Sequence, residues 1–267
     1  MRWKALATDL DGTLLDAGGQ LSARNREALR AAKAAGLGVI LATARWYRLA
    51  LPVAAELELD GPMIACQGAE VRRISDHRDL LDQRLPDAFS AELFALCDAM
   101  RCLAWIPLSE RVVMKGDYVA DLPDGVERVE SLAAIASEKP RMALIQGRSV
   151  CDAILGDLKP RWADRVRFSP SISSRGKLVL TLTASEVNKG AALSHACADL
   201  GIATDDVLVF GDAENDIEMF EVAGGSFAMG QAAESVKRAA RRVAPPNTED
   251  GVAQVVEDLL RGGGDYD

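Results

Sequence analysis

Acidic side chains stand in two short segments that lie far apart in the chain. Asp9 and Asp11 come directly after the apolar segment Trp3 to Thr8, and Asp212 and Asp216 follow a second apolar segment near the C-terminus. Carboxylates brought together would repel one another unless a cation lay between them, and hard oxygen ligands of this kind suit Mg²⁺. The predicted ligands of a magnesium site are therefore Asp9, Asp11, Asp212 and Asp216.

The same carboxylates are suited to phosphoryl transfer. A carboxylate that attacks phosphorus gives an aspartyl phosphate, which divides one difficult displacement into two easier ones. Asp9, the first acidic residue after its strand, is predicted to be the nucleophile. Asp11 is predicted to protonate the leaving group and later to activate water. Thr13 is predicted to orient Asp11.

Other polar side chains are predicted to bind the phosphoryl group. Thr43 offers a hydroxyl and Lys189 an ammonium to the phosphoryl oxygens, where charge is spread during transfer. Asn215 is a donor toward phosphate or substrate. Asp216 has a second predicted role, which is to hold either the water shell of the metal or Lys189 in place.

The elements that must position these groups are predicted from alternating apolar and helical segments. Trp3 to Thr8, Leu37 to Ala42 and Val207 to Phe210 read as buried strands. Helices are expected between them, with Ser22 as the N-cap of the first and Thr248 as the N-cap of the last. Strands that alternate with helices at this spacing indicate a doubly wound, parallel, Rossmann-like α/β sheet. In such sheets ligands bind at the carboxyl ends of the strands.

The middle of the chain has a different pattern, because its strand-like segments are joined by short loops. Such spacing is typical of an antiparallel or mixed sheet. We expect an α+β domain, residues 85–185, to be inserted into a core formed by residues 1–84 and 186–267. Basic residues of this insert are expected to be a solvated surface, with attraction of an anionic substrate as the alternative; they are Lys159, Arg161, Arg165, Arg167, Arg175 and Lys177.

Taken together, these segments resemble the haloacid dehalogenase-like hydrolases, and in particular their Cof-type branch. The matching segments, in the order of that family, are Asp9-Leu10-Asp11-Gly12-Thr13-Leu14-Leu15, Ala42-Thr43-Ala44-Arg45, Gln67-Gly68-Ala69, Asn188-Lys189-Gly190, Gly211-Asp212-Ala213-Glu214-Asn215-Asp216 with Met219, and Gly251-Val252-Ala253. They extend over the whole predicted core.

The resemblance implies a Mg²⁺-dependent phosphatase that acts on a small phosphorylated metabolite, with the insert as a cap that sets specificity. Arg45 is the candidate for contact with substrate. The chain departs from the family at Ala44 and Gln67, where glycine and asparagine are usual. Alanine loses the freedom of glycine at positive φ, so the loop that holds Thr43 is expected to differ in shape.

Composition excludes several classes of protein. The net charge of −9 over 267 residues counts against binding to nucleic acid, because phosphate backbones attract basic surfaces. Neither a signal peptide nor an apolar segment of membrane-spanning length is evident. The five scattered cysteines are a poor disulfide framework. The sequence therefore predicts a cytoplasmic protein with no membrane partner and leaves its oligomeric state open.

Three other functions stay open at this point. A phosphomutase would return the phosphoryl group of the same intermediate to a sugar instead of to water. A phospho-acceptor signalling module also uses Asp, Thr and Lys on a parallel sheet, but it would lack the pair formed by Asp9 and Asp11. A binding protein that retained the site without turnover is the third, suggested by Ala44 and Gln67.

Overall fold

The computed structural model describes residues 2–118, 121–172 and 176–263. The chain forms two compact units, and unit 2, Asp82–Val187, is inserted between the two parts of unit 1, Met1–Leu81 and Asn188–Asp267. The crossings lie within a few residues of the boundaries expected from sequence. That unit 1 is catalytic and that unit 2 sets specificity stay predictions.

The strands are named in chain order. They are β1 (Ala5–Thr8), β2 (Gly38–Leu41), β3 (Pro62–Ala65), β4 (Glu70–Arg73), β5 (Asp79–Asp82), β6 (Leu103–Pro107), β7 (Val112–Lys115), β8 (Val126–Val129), β9 (Met142–Gln146), β10 (Val166–Ile172), β11 (Leu178–Ala184), β12 (Val207–Gly211), β13 (Gly225–Ala228) and β14 (Arg242–Val243).

The α-helices are named in the same way. They are α1 (Ala23–Ala34), α2 (Tyr47–Glu56), α3 (Asp87–Ala99), α4 (Arg148–Ala153), α5 (Lys159–Trp162), α6 (Lys189–Leu200), α7 (Ile217–Val222), α8 (Glu234–Ala239) and α9 (Gly251–Leu260). A π-helical turn, Ile154–Leu158, joins α4 to α5.

The main sheet of unit 1 is parallel, with the strand order β14-β13-β12-β1-β2. Thr8, the last residue of β1, is paired with Phe210 of β12 on one side and with Leu41 of β2 on the other. Strands β1, β12 and β13 are buried at every position, as expected for a sheet covered on both faces. The predicted α/β fold with a parallel sheet is therefore confirmed, and the ends of β1, β2 and β12 lie side by side.

Short polar residues begin the helices that follow these strands. The Ser22 hydroxyl accepts a hydrogen bond from the Asn25 amide, as predicted for the N-cap of α1. The Asn188 side chain accepts one from the Ala191 amide at the start of α6. The prediction for Thr248 is wrong, since it lies in a single 3₁₀ turn and α9 begins after Asp250. That turn interrupts the chain before the apolar stripe of α9 begins.

Unit 2 contains a six-stranded mixed sheet in the order β10-β11-β9-β6-β7-β8. Its neighbours pair antiparallel except β7 and β8, which are parallel. Helices α3 and α4 pack against it through a core that includes Phe89, Phe94 and Ile145. The expectation of an α+β insert with a mixed sheet agrees with this architecture.

In the described ranges, no helix combines the length and apolar character that a membrane crossing requires. The cysteines are all free and buried: Cys66, Cys97, Cys102, Cys151 and Cys197. Location in the cytoplasm stays a prediction from the sequence.

Candidate active site

Lys189 joins two carboxylates at the carboxyl end of the parallel sheet. Its ammonium donates to Asp9 Oδ1 at 2.5 Å and to Asp216 Oδ1 at 2.7 Å. Asp9 follows β1 and its backbone amide bonds to the Phe210 carbonyl of β12, whereas Lys189 is the first residue of α6. The Lys189 side chain is 1% exposed. A buried lysine with two charged partners fixes the position of Asp9 much more firmly than an exposed pair would.

Asp216 is held on both of its oxygens. While Oδ1 accepts from Lys189, Oδ2 accepts from the backbone amides of Asp212 and Ala213, each at 3.0 Å. Asp216 thereby shapes the loop after β12 and positions Lys189, which was one of its two predicted roles.

Asp9, Asp212 and Asp216 form the acidic cluster of the site. One carboxylate oxygen from each lies within 4.8 Å of the others. Asp11 is not in this cluster, although it was predicted to be a metal ligand. Its carboxylate, with 55% of the side chain exposed, is bound by Arg45 instead. The positive charge beside Asp11 therefore comes from Arg45.

The electrostatics of the cluster fit a divalent cation. Burial raises the pKa of Asp9 to about 8, although the ammonium of Lys189 acts in the opposite direction. Burial and the charge of Asp216 also raise the pKa of Asp212, against a hydrogen bond from Thr13. Burial disfavours the charged form of Lys189, but Asp216 and Asp9 more than offset this, and its pKa is raised. Three carboxylates with one ammonium keep an excess of negative charge, and their oxygen donors suit a hard divalent ion.

Thr13 contacts a different aspartate from the one predicted. Its hydroxyl donates to Asp212 Oδ1 at 2.8 Å, not to Asp11. The turn after β1 makes this contact possible, because Gly12 has φ +86° and a Cβ at that position would lie 2.4 Å from Asp212 Oδ2. Only glycine allows the two loops to come this close. Sequence reasoning missed the contact because the two residues are 199 positions apart.

Thr43 and Arg45 lie on the loop after β2. The Thr43 side chain is buried and its hydroxyl accepts a hydrogen bond from the Arg45 amide at 3.0 Å. Ala44 is not among the residues with positive φ. The departure from glycine at this position therefore places no backbone strain on the loop.

Asn215 is paired with a residue that had no predicted role. Its side-chain amide donates to Gln67 Oε1 at 2.6 Å. Gln67 has φ +64° and its neighbour Cys66 has φ +49°, a conformation that costs energy for residues other than glycine and that is often found at functional sites. The unusual Gln67 in the sequence pointed to this loop, but nothing in the sequence identified Asn215 as its partner.

The comparisons with known proteins agree with the fold. The model of a family described as haloacid dehalogenase-like hydrolase matches residues 6–256. This chain belongs to that family. The predicted resemblance is thereby confirmed.

Two curated relatives match along nearly their whole length. The 5-amino-6-(5-phospho-D-ribitylamino)uracil phosphatase YwtE of Bacillus subtilis is 29% identical, and the match covers 97% of this chain and 99% of that protein. The pyridoxal phosphate phosphatase YbhA of Escherichia coli is 27% identical, and the match covers 97% and 100%.

Solved structures show the same fold. A haloacid dehalogenase-like hydrolase from Bacteroides thetaiotaomicron has a TM-score of 0.81 at 24% identity, with 96% of this chain and 99% of that chain covered. TM0651 from Thermotoga maritima has a TM-score of 0.81 at 24% identity, with 96% and 97% covered.

Proposed function

We propose that this protein is a Mg²⁺-dependent phosphatase that hydrolyses a small phosphorylated metabolite through an aspartyl phosphate. The observation that carries the proposal is the buried Lys189, which holds Asp9 at the edge of the acidic cluster. Membership of the hydrolase family supports it. So do the names of YwtE and YbhA, which describe phosphatases of two phosphorylated small molecules.

The proposed first step transfers the phosphoryl group to the protein. An Asp9 oxygen attacks phosphorus, an acyl phosphate bond forms, and the bond from phosphorus to the ester oxygen breaks. Asp11 gives its proton to the departing oxygen, which leaves as an alcohol. For this proton to reach the ester oxygen, the Asp11 carboxyl group must separate from Arg45 or turn while Arg45 holds it.

The proposed second step returns the protein to its starting state. Asp11, now a carboxylate, takes a proton from a water molecule whose oxygen attacks phosphorus. The bond from phosphorus to the Asp9 oxygen breaks, and inorganic phosphate leaves. The first step needs the Asp9 carboxylate to be ionised at the start, a state that Lys189 favours and burial opposes.

Asp9, Asp212 and Asp216 are the residues that would hold Mg²⁺. When bound, the ion would neutralise negative charge on the phosphoryl oxygens and favour the ionised form of the carboxylates. Asp11, whose carboxylate binds Arg45 and lies outside the cluster, would contribute as acid and base and not as a ligand.

Lys189 and Thr43 are proposed to bind the phosphoryl group, and Asn215 with Gln67 to contact the adjoining part of the substrate. An ammonium has three N–H donors, and the bonds from Lys189 to Asp9 and Asp216 use two of them. The third is assigned to a phosphoryl oxygen. The Thr43 hydroxyl, which accepts from the Arg45 amide, is assigned to donate to a second oxygen. Asn215 and Gln67, as an amide pair, are assigned to the substrate side of the phosphate.

The test is the Asp9→Asn variant, which removes the nucleophile and keeps the shape of the side chain. Release of inorganic phosphate from a panel of phosphorylated sugars, nucleotides and cofactors is measured with and without Mg²⁺. We expect wild-type protein to release phosphate only with Mg²⁺, and the variant to lose essentially all turnover while keeping its fold by circular dichroism.

The matched control is Asp16→Asn, which changes an exposed aspartate that binds the amides of Gly18 and Gln20 in the loop after the candidate site. It should keep full activity. Undiminished phosphate release by Asp9→Asn would refute the assignment of Asp9 as the nucleophile. An isomerised phosphate ester in place of free phosphate would identify a mutase.

A further inference from the structure

A cavity of about 580 Å³ lies wholly within unit 2. It is formed by the residues just before β6, those just after β7 and β9, and those just before β11, so that loops at one end of the six-stranded sheet surround it. Its size is within the range of roughly 300–1,000 Å³ that is usual for small-ligand pockets. None of its lining residues is among the candidate active-site residues.

The cavity is at the end of the sheet opposite the chain crossings. The chain enters unit 2 beside the start of β9, where the Leu85 amide bonds to the Pro140 carbonyl. It leaves after β11, whose residue Thr183 is paired with Met142 at that same start. The cavity instead lies where Gln146 ends β9 and Val179 pairs with it near the start of β11.

Basic side chains dominate the lining. Among the residues that the structure describes, four cations and one carboxylate line the cavity, namely Arg101, Lys115, Arg148, Lys177 and Asp117. This excess of positive charge occurs in a chain whose net charge is −9, so it is a local feature that attracts anions. Of the basic residues of the insert that the sequence singled out, Lys177 is in the lining, and Arg175 lies outside the described residues.

The lining carboxylate reduces this charge only weakly. Arg101 and Asp117 are 2.7 Å apart, but their side chains are 92% and 81% exposed. An ion pair in contact with so much water is worth little, and an anionic ligand can replace its carboxylate at small cost.

Lys115 is the cation that the fold holds in place. Its side chain is 13% exposed, and its ammonium donates to the Cys97 carbonyl at 2.8 Å. The Asp98 carboxylate lies 3.8 Å away and accepts from the Ser131 hydroxyl and from the amides of Leu132 and Ala133. Those bonds draw Asp98 away from Lys115, so the ammonium charge is only partly neutralised.

Backbone, not side chain, forms the wall beside Lys115. Gly116 has φ +108°, and a Cβ there would lie 2.1 Å from the Cys102 carbonyl oxygen. The loop after β7 therefore excludes any larger residue at this position. Lys115 and Gly116 both line the cavity.

We propose that this cavity binds a small phosphoanion, separately from the candidate active site. Guanidinium groups match the geometry of phosphate oxygens, and several cations around one cavity suit a ligand with more than one negative charge. The proposal does not depend on the phosphatase activity proposed above.

The probe is inorganic pyrophosphate, titrated calorimetrically into the full chain in the presence of EDTA. EDTA removes divalent ions and with them metal-dependent binding at the acidic cluster. The test variant is Arg148→Gln with Lys177→Gln, two exposed residues of the cavity. We expect at least about a tenfold loss of affinity, the usual effect of removing charge-assisted hydrogen bonds.

The matched control is Lys159→Gln with Arg165→Gln, which removes the same charge from exposed positions of unit 2 outside the cavity. It should bind pyrophosphate as wild type does. The proposal is overturned if wild-type protein does not bind pyrophosphate at about 1 mM, if both double variants lose affinity equally, or if the cavity variant binds unchanged. Circular dichroism of each variant checks that it is folded.

Discussion

Arg45 donates two parallel hydrogen bonds to the Asp11 carboxylate, from Nε to Oδ2 at 2.8 Å and from a terminal nitrogen to Oδ1 at 2.5 Å. Asp11 is the proposed acid and base, and its pairing with Arg45 sets its orientation. This pairing keeps Asp11 outside the acidic cluster and on the solvent side of Asp9. Of the four predicted metal ligands, three lie together in the acidic cluster, and Asp11 is paired with Arg45 instead.

The first prediction concerns this orientation. Arg45→Ala should lower kcat/KM for a metabolite phosphate about 10- to 100-fold, because charge-assisted bonds of this kind are worth about 1.5–3 kcal/mol. The kcat/KM of Arg45→Lys should lie between those of wild type and Arg45→Ala, since an ammonium keeps the charge but not the parallel geometry. Steady-state kinetics with saturating Mg²⁺ measures both. The control is Arg26→Ala, which breaks an exposed pair with Glu56 in the same unit; a loss as large in that variant would contradict a specific role.

The second prediction separates proton transfer from nucleophilic attack. Asp11→Asn should lower kcat/KM by about 10²- to 10⁴-fold for an alkyl phosphate, the usual contribution of general acid catalysis. The loss should be much smaller for p-nitrophenyl phosphate, whose leaving group departs without a proton. The comparison uses kcat/KM because it reports the first chemical step. Equal losses with the two substrates would show that Asp11 does not act as the acid.

The third prediction concerns the metal. Thr13→Val removes the hydroxyl that donates to Asp212 Oδ1 and keeps the branched shape. The Mg²⁺ concentration for half-maximal activity should rise about tenfold or more, because groups that orient metal ligands typically change affinity by about 10- to 100-fold. A Mg²⁺ titration of activity measures it, with Thr13→Ser as the variant that should restore wild-type behaviour. An unchanged Mg²⁺ requirement in Thr13→Val would mean that Asp212 does not depend on this bond.

The fourth prediction tests the loop that carries Gln67. Gly68 has φ +100°, and a Cβ there would lie 2.4 Å from the Asn188 carbonyl oxygen. Gly68→Ala should therefore reduce the free energy of unfolding by about 2–4 kcal/mol, as backbone strain and overpacking add. Gly201→Ala is the matched control, because φ is +68° at the end of α6 but nothing lies within 4 Å, so only the left-handed backbone costs about 1–2 kcal/mol. Urea denaturation compares them, and equal losses would exclude the close approach to Asn188.

The fifth prediction concerns acid stability of unit 2. Burial disfavours ionised Asp98, but hydrogen bonds from Ser131, Leu132 and Ala133 and the charge of Lys115 outweigh it, so the pKa of Asp98 is lowered. The unfolded chain then binds the proton more readily than the folded chain, and stability rises with pH. The contribution is complete above the unfolded pKa of about 3.9 and is lost as pH falls through the lower folded value.

Asp98→Asn should therefore be less stable than wild type by about 1 kcal/mol at neutral pH, as when a helix loses its cap. The difference should shrink below about pH 4, where wild type loses its own contribution. Thermal unfolding of unit 2 followed at a series of pH values gives the difference. The control is Asp152→Asn, at an exposed position of α4, and its stability should equal that of wild type at each pH. A stability difference between Asp98→Asn and wild type that stays constant across this pH range would refute the role assigned to the Asp98 carboxylate.

Several site residues are predictable because local signals determine where they lie along the chain. Each of Asp9, Thr43 and Asp212 follows a short apolar strand. Parallel strands joined by helices place their carboxyl ends at one edge of the sheet. Lys189 is the first residue of α6, which Asn188 caps, and it belongs to one of the segments that carry the family resemblance. Lys189 is therefore expected near Asp9 even though the two residues are 180 positions apart.

The pairings inside the site are not predictable in this way. Thr13 was predicted to orient Asp11 and instead bonds to Asp212, and Asn215 bonds to Gln67. The partner of a polar side chain depends on the distance between two loops, which would have to be known to within about an ångström. Neither the apolar pattern nor the spacing of residues in the sequence specifies that distance. The same limit explains Thr248, whose type suits a helix cap but whose backbone lies in a separate turn.

The sequence by itself determined the alternation of strands and helices and the end of the sheet at which the acidic residues gather, because strand and helix periodicity and loop composition are local properties of the chain. Its ordered motifs carried the resemblance to the family. Only the tertiary structure decided that Lys189 holds Asp9 and Asp216 together, that Arg45 draws Asp11 out of the acidic cluster, and that four cations surround a cavity in unit 2. These relationships depend on distances between segments that are remote in sequence, and packing alone sets those distances.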